Sequence, residues 1–163
     1  MKSIKFDEET RRRSSKKGQI MVILENIFSY YKEIGREIAS FFGNDVVINY
    51  HKYQNEKPLS FIVTMEIIIP QLKAEDDYGL VLSTEAQKSS QSKSEVNSNN
   101  ELFLISDISY GDGKVIQSSN EISFSFFDNI STNEALNFVR LFFSDNINFI
   151  KDELINHYGL RNG

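Results

Sequence analysis

The chain has 163 residues, 40% of them hydrophobic, with 13 Phe, 7 Tyr and no Cys. That length suits one self-sufficient core burying roughly 70% of the surface the unfolded chain exposes, and the apolar content excludes a wholly disordered chain. The lack of Cys excludes a disulfide framework, a thiolate nucleophile and a Cys-ligated zinc.

The net charge of −5 hides an asymmetry. Residues 1–18 hold seven basic and three acidic residues, a balance of +4, while residues 19–163 hold 11 basic and 20 acidic, a balance of −9. The first stretch, with its run Arg11–Lys17 ("RRRSSKK"), is expected to be a solvated, flexible basic arm. The acidic remainder repels phosphate, so no nucleic-acid partner is expected for the folded body. The longest apolar runs are about five residues, against the ~20 a membrane span needs. "GQIMVILENIF" meets Glu25 too early for a signal-peptide core. The expected location is cytoplasmic.

After the arm, Ile20, Leu24, Ile27, Tyr31, Ile34, Ile38 and Phe41 recur at spacings of three and four, which predicts a helix. Gly43 and Asn44 end it, whereas Gly18 and the basic run give its start no strong cap.

Strand territory follows. "DVVINYHKY" and "LSFIVTMEIIIP" flank a turn-rich spacer at Gln54–Pro58. In the second run Leu59, Phe61, Val63, Met65, Ile67 and Ile69 share one face. Ser60, Thr64 and Glu66 make the other face partly wet, with Ile62 and Ile68 as exceptions. Pro70 marks an end or an edge. The acidic turn Ala74–Asp77 leads to a third strand over Tyr78–Thr84, and "ELFLISDISY" is a fourth. Gly111-Asp112-Gly113 then reads as a hairpin turn into Lys114–Gln117, followed by "EISFSFF".

Between the third and fourth strands, Glu85–Asn100 contains five Ser, three Asn and two Gln. Dividing the chain there would leave each half with one helix and a bare sheet face. The run therefore reads as a disordered loop at about 85–100 within a single α+β domain spanning 19–163.

The last segment opens with Ser131 and Glu134, a capping-box pair. Leu136, Val139, Phe143, Ile147, Ile150, Leu154 and Tyr158 then keep helical spacing, widened by Phe138, Phe142 and Phe149, and Gly159 suits a left-handed cap. A helix over about 132–158 is predicted. The expected fold is α+β: a single antiparallel sheet of five to six strands between an N-terminal helix and a long C-terminal helix.

The search for chemistry yields little. His51 falls on a strand face with Val47 and Asn49; His157 falls in the last helical turn, where an imidazolium suits the negative dipole end. "SYGDGK" lacks the alternating acids of a calcium loop. No glycine-rich phosphate loop and no strained nucleophile turn occurs in the sequence. Glu66 and Asp107 interrupt apolar strands and would form an acid–base pair if they shared a face of neighbouring strands. No catalytic residue, metal ligand or cofactor is assigned.

The expectation is a non-enzymatic protein-binding module that uses an acidic or apolar surface, with a basic protein as the best-matched partner. Such small acidic α+β chains are common among bacterial immunity proteins, antitoxins and secretion chaperones. The element order resembles that of type III secretion chaperones without their middle helix. Candidate partner-binding residues are Glu75, Asp76, Asp77, Phe138 and Phe142. The alternative expectation is a small-molecule or lipid binder with a cavity between the sheet and the C-terminal helix.

Overall fold

The computed structural model describes residues 4–56, 59–88, 101–125 and 129–161. In chain order the elements are α1 (Ile4–Phe42), β1 (Val47–Glu56), β2 (Leu59–Ile68), β3 (Gly79–Gln87), β4 (Glu101–Tyr110), β5 (Val115–Ser118), β6 (Ile122–Ser125) and α2 (Asn129–Asn156). Short 3₁₀ turns, Gly43–Asp45 and Pro70–Leu72, follow α1 and β2.

The six strands form one antiparallel sheet in the order β1-β2-β3-β4-β5, with β6 also paired to β4. β5 lies along the C-terminal half of β4 (Asp107↔Ser118) and β6 along its N-terminal half (Leu102↔Phe124). The two act as one edge strand broken at Ser119–Glu121. The break is pinned by Ser119, whose amide donates to the Ser106 carbonyl at 2.8 Å and whose hydroxyl accepts from the Ser106 amide at 2.9 Å.

Both helices cover the same face. Phe61, Val63, Met65, Ile67, Leu80, Leu82, Leu102, Leu104 and Ile108 are buried beneath Ile20, Ile27, Tyr31 and Ile38 of α1 and Val139, Phe143, Ile150 and Leu154 of α2. Each such side chain contributes roughly 1.5–3 kcal/mol of transfer free energy. The opposite face could not be covered as cheaply, because its strands place carboxylates among the apolar groups. The pleat thus decides which side the helices take.

Several sequence expectations shift in detail. α1 begins at Ile4, so from there on the expected basic arm is backbone of the first helix. β1 continues through Gln54–Glu56, the expected spacer, and pairs without a register shift up to Glu56↔Leu59. β3 runs to Gln87, with Ala86 fully buried, so Glu85–Gln87 belong to the sheet and not to the polar loop; residues 89–100 of that loop lie outside the described residues. α2 starts at Asn129, ahead of the capping-box pair, and ends at Asn156. Gly159 takes the left-handed conformation (φ 75°), and beyond it the Leu160 amide donates to the Leu154 carbonyl at 3.0 Å. The β4–β5 hairpin forms as expected, with Gly113 at φ 96° and the Lys114 amide bonded to the Asp112 carboxylate.

Candidate functional site

The helix-free face of the sheet is built by register. Tyr53, Ile62, Glu85 and Ile105 stand side by side on β1–β4. The neighbouring row is His51, Thr64, Ser83, Asp107 and Ser118. The next is Asn49, Glu66, Val81, Ser109 and Val115. Phe103 lies beyond the first row, between Gln87 and Ser123. Among the described residues this face carries Glu66, Glu85, Glu101 and Asp107 and no Lys or Arg. Its apolar members are not part of the helix-covered core: Ile62, Ile68, Val81, Phe103 and Ile105 are half-buried, and Val47, Tyr53 and Val115 are exposed.

Glu66 is the most organised polar group here. One carboxylate oxygen contacts His51 Nε2 at 3.0 Å and the other accepts from the Tyr78 hydroxyl at 2.6 Å. The hydrogen bond to Glu66, with burial, pushes the Tyr78 hydroxyl up to about 12. Asp107 accepts from the Ser118 hydroxyl. Glu66 and Asp107 do share a face, but β3 lies between their strands and their rows are offset by two residues. About 10 Å of sheet separates them before that offset is counted. They are two separate carboxylates, not an acid–base pair. His51 and Glu66 are in contact, yet the His51 side chain is 62% exposed, so water screens the pair and any charge beside it.

A second polar cluster closes one end of the molecule. Asp77 accepts from the Tyr158 hydroxyl, from the Gly111 amide at 3.3 Å, and meets His157 Nε2 at 2.8 Å. Burial opposes ionisation of Asp77, but these bonds outweigh it and hold the carboxyl below the usual carboxylate range. The His157 ring stacks on Tyr110, centroids 4.2 Å apart, and the Tyr110 hydroxyl donates to Glu153 at 2.7 Å. That bond and burial push Tyr110 up to about 12. The cluster ties the end of α2 to the turns before β3 and after β4, a structural role that accounts for every polar contact in it.

The sequence-derived candidates fall in different places. Glu75 and Asp76 are exposed on the β2–β3 connection, while Asp77 turns inward to the clasp just described. Phe138 and Phe142 are half-buried against the core on α2, about 28 Å and about 22 Å along the helix direction from His157. The five residues do not converge. An open cavity of about 220 Å³ lies between α1 and α2, lined by Tyr30, Glu33, Glu37, Phe143, Ser144 and Ile147; it is not between the sheet and α2. Among the described residues no group of three or more His, Cys, Asp or Glu side chains could hold a metal, and no helix is long and apolar enough to cross a membrane. No family model, curated protein or solved structure matches the chain.

Proposed function

We propose that this protein is a non-enzymatic binding module that receives a basic, partly apolar protein surface on the helix-free face of its sheet. The observation that supports this reading is the composition of that face: four carboxylates interleaved with Ile62, Ile68, Val81, Phe103 and Ile105, and no Lys or Arg among its described residues. Apolar groups left on a pleated surface supply contact area, and a single sign of charge selects and orients an oppositely charged partner. Glu75 and Asp76 add charge at the end of the sheet where β2 turns into β3. An immunity protein, antitoxin or secretion chaperone would use such a face stoichiometrically.

The test is capture of partners by the tagged chain, repeated with Ile105→Asp, Asp107→Lys and, as a control on the helical side, Glu37→Lys. A partner with a basic surface that binds more weakly as salt rises, is lost with the two β4 variants and is kept by the control supports the reading. Binding that ignores both β4 variants rules it out.

A further inference from the structure

We infer that two copies of this chain associate through the free edge of β1, joining their sheets in antiparallel fashion. Val47 and Tyr53 also border the proposed partner face, but the inference rests on the backbone edge of β1 and stands without a partner on that face.

β1 is the first strand of the sheet and, among the described residues, has β2 as its one neighbouring strand. Its ten residues pair with β2 without a bulge. A long, regular edge strand presents alternate unpaired N–H and C=O groups, a template for another strand. Natural edges are usually blunted by Pro, bulges or short length. β1 uses none of these, and its one Lys, Lys52, is turned back to Glu25 of α1.

The side chains specify what joins it. Exposed large apolar groups sit on this edge strand at Val47 (48% exposed) and Tyr53 (63% exposed). Val22, 52% exposed, lies one turn before Glu25 on the same side of α1 and flanks it. From Val47 to Asn55 the strand has no carboxylate, in a chain whose net charge is −5. Two copies repel one another over most of their acidic surface, but not along β1.

A two-fold pairing centred on Tyr50 sets Val47 of one copy against Tyr53 of the other, Ile48 against Lys52, and Asn49 against His51. Both exposed apolar residues are then covered at both ends of the pairing, and no like charges face each other. Centring on His51 instead sets Val47 against Asn55, and centring on Lys52 opposes two ammonium groups. The Tyr50-centred register is therefore the one the strand favours. Such an isologous contact closes on itself and gives a dimer, not a fibre.

The experiment is sedimentation of the full chain at concentrations up to on the order of 100 µM, a range that detects weak self-association. It is combined with cross-linking of a Val47→Cys, Tyr53→Cys double variant. The chain has no Cys of its own, and within one copy these positions are six strand residues, about 20 Å, apart, too far for a disulfide. The expected results are a mass of twice the 18.8 kDa chain, association at least tenfold weaker in Tyr53→Lys, and a disulfide-linked dimer of the double variant that neither single Cys variant forms. A monomeric mass throughout, a dimer indifferent to Tyr53→Lys, or failure of the double variant to cross-link overturns the inference.

Discussion

The hydroxyl of Tyr158 lies 2.6 Å from the carbonyl oxygen of Gly79, which also accepts the Gly111 amide at 2.7 Å. The single phenolic proton is shared between this oxygen and the Asp77 carboxylate. One side chain just past α2 thereby holds the start of β3. Burial, with the bond to Asp77, drives the Tyr158 hydroxyl far above the ordinary tyrosine range. Tyr158→Phe leaves Asp77 short of a donor and is expected to cost about 2 kcal/mol, since bonds to charged groups contribute about 1.5–3. For a chain of this length that lowers the unfolding midpoint by about 4–8 °C, read by thermal denaturation. A midpoint within 1–2 °C of the parent, equivalent to under about 0.5 kcal/mol, would mean the hydroxyl is not holding the strand.

Asp77 also sets an acid limb. Its carboxyl is held below the usual range in the folded protein and titrates near about 3.9 when unfolded. The folded state therefore binds fewer protons, and the stabilisation is complete above about pH 4 and lost as pH falls below it. Asp77→Asn is expected to flatten the acid side of the stability curve. Urea midpoints measured from pH 6 to pH 3 give the comparison; parallel curves for the two proteins would count against this account.

A chain of hydroxyls crosses the core. Tyr31 meets Thr84 at 2.6 Å and Thr84 meets Ser106 at 2.8 Å, all three fully buried. Removing the terminal member leaves the other two paired, so Tyr31→Phe is expected to cost about 1 kcal/mol. Thr84→Val takes a hydrogen-bond partner from the buried hydroxyl on each side and is expected to cost about 2–4 kcal/mol, because buried unpaired polar groups carry their whole desolvation penalty. Equal losses from the two substitutions in chemical denaturation would contradict a relay through Thr84.

Gly79 tolerates no side chain. Its φ is 154°, and a Cβ there would fall 1.9 Å from the Ile67 carbonyl oxygen, part of the backbone of the paired strand. Gly79→Ala is expected to destabilise by at least about 2 kcal/mol, the scale of enforced backbone strain. Gly113→Ala, at φ 96° but with open space around it, isolates the conformational part of that cost. Chemical denaturation of both variants separates strain from collision; equal losses would leave nothing for the collision.

The helices and the covered face were legible in the sequence because both obey a simple period. Phe61, Val63, Met65, Ile67 and Ile69 alternate without interruption, and every one of them is buried. Thr84 and Ser106 break the same rule silently. Each is a polar residue on a covered face, and its burial depends on partners 22 and 53 positions away that no local pattern announces. Gly35 is similar: the Tyr50 hydroxyl occupies the place of its missing Cβ, a close approach between helix and strand that spacing alone does not reveal. Asp77 looked like a solvated turn acid beside Glu75 and Asp76, and it differs from them because α2 ends above it. Whether Glu66 and Asp107 meet depended on how many strands separate them, which is a fact of pairing order and not of composition.

Each strand from β1 to β5 lies beside the one made just before it, so the sheet can assemble hairpin by hairpin as synthesis proceeds. Its cover cannot, because half of the roof, α2, emerges from the ribosome after all six strands. Until then Leu80, Leu82, Leu102 and Leu104 have no α2 to shelter under. The interval between the last strand and the closing helix is when this polypeptide is most exposed to clumping and most in need of a holding factor.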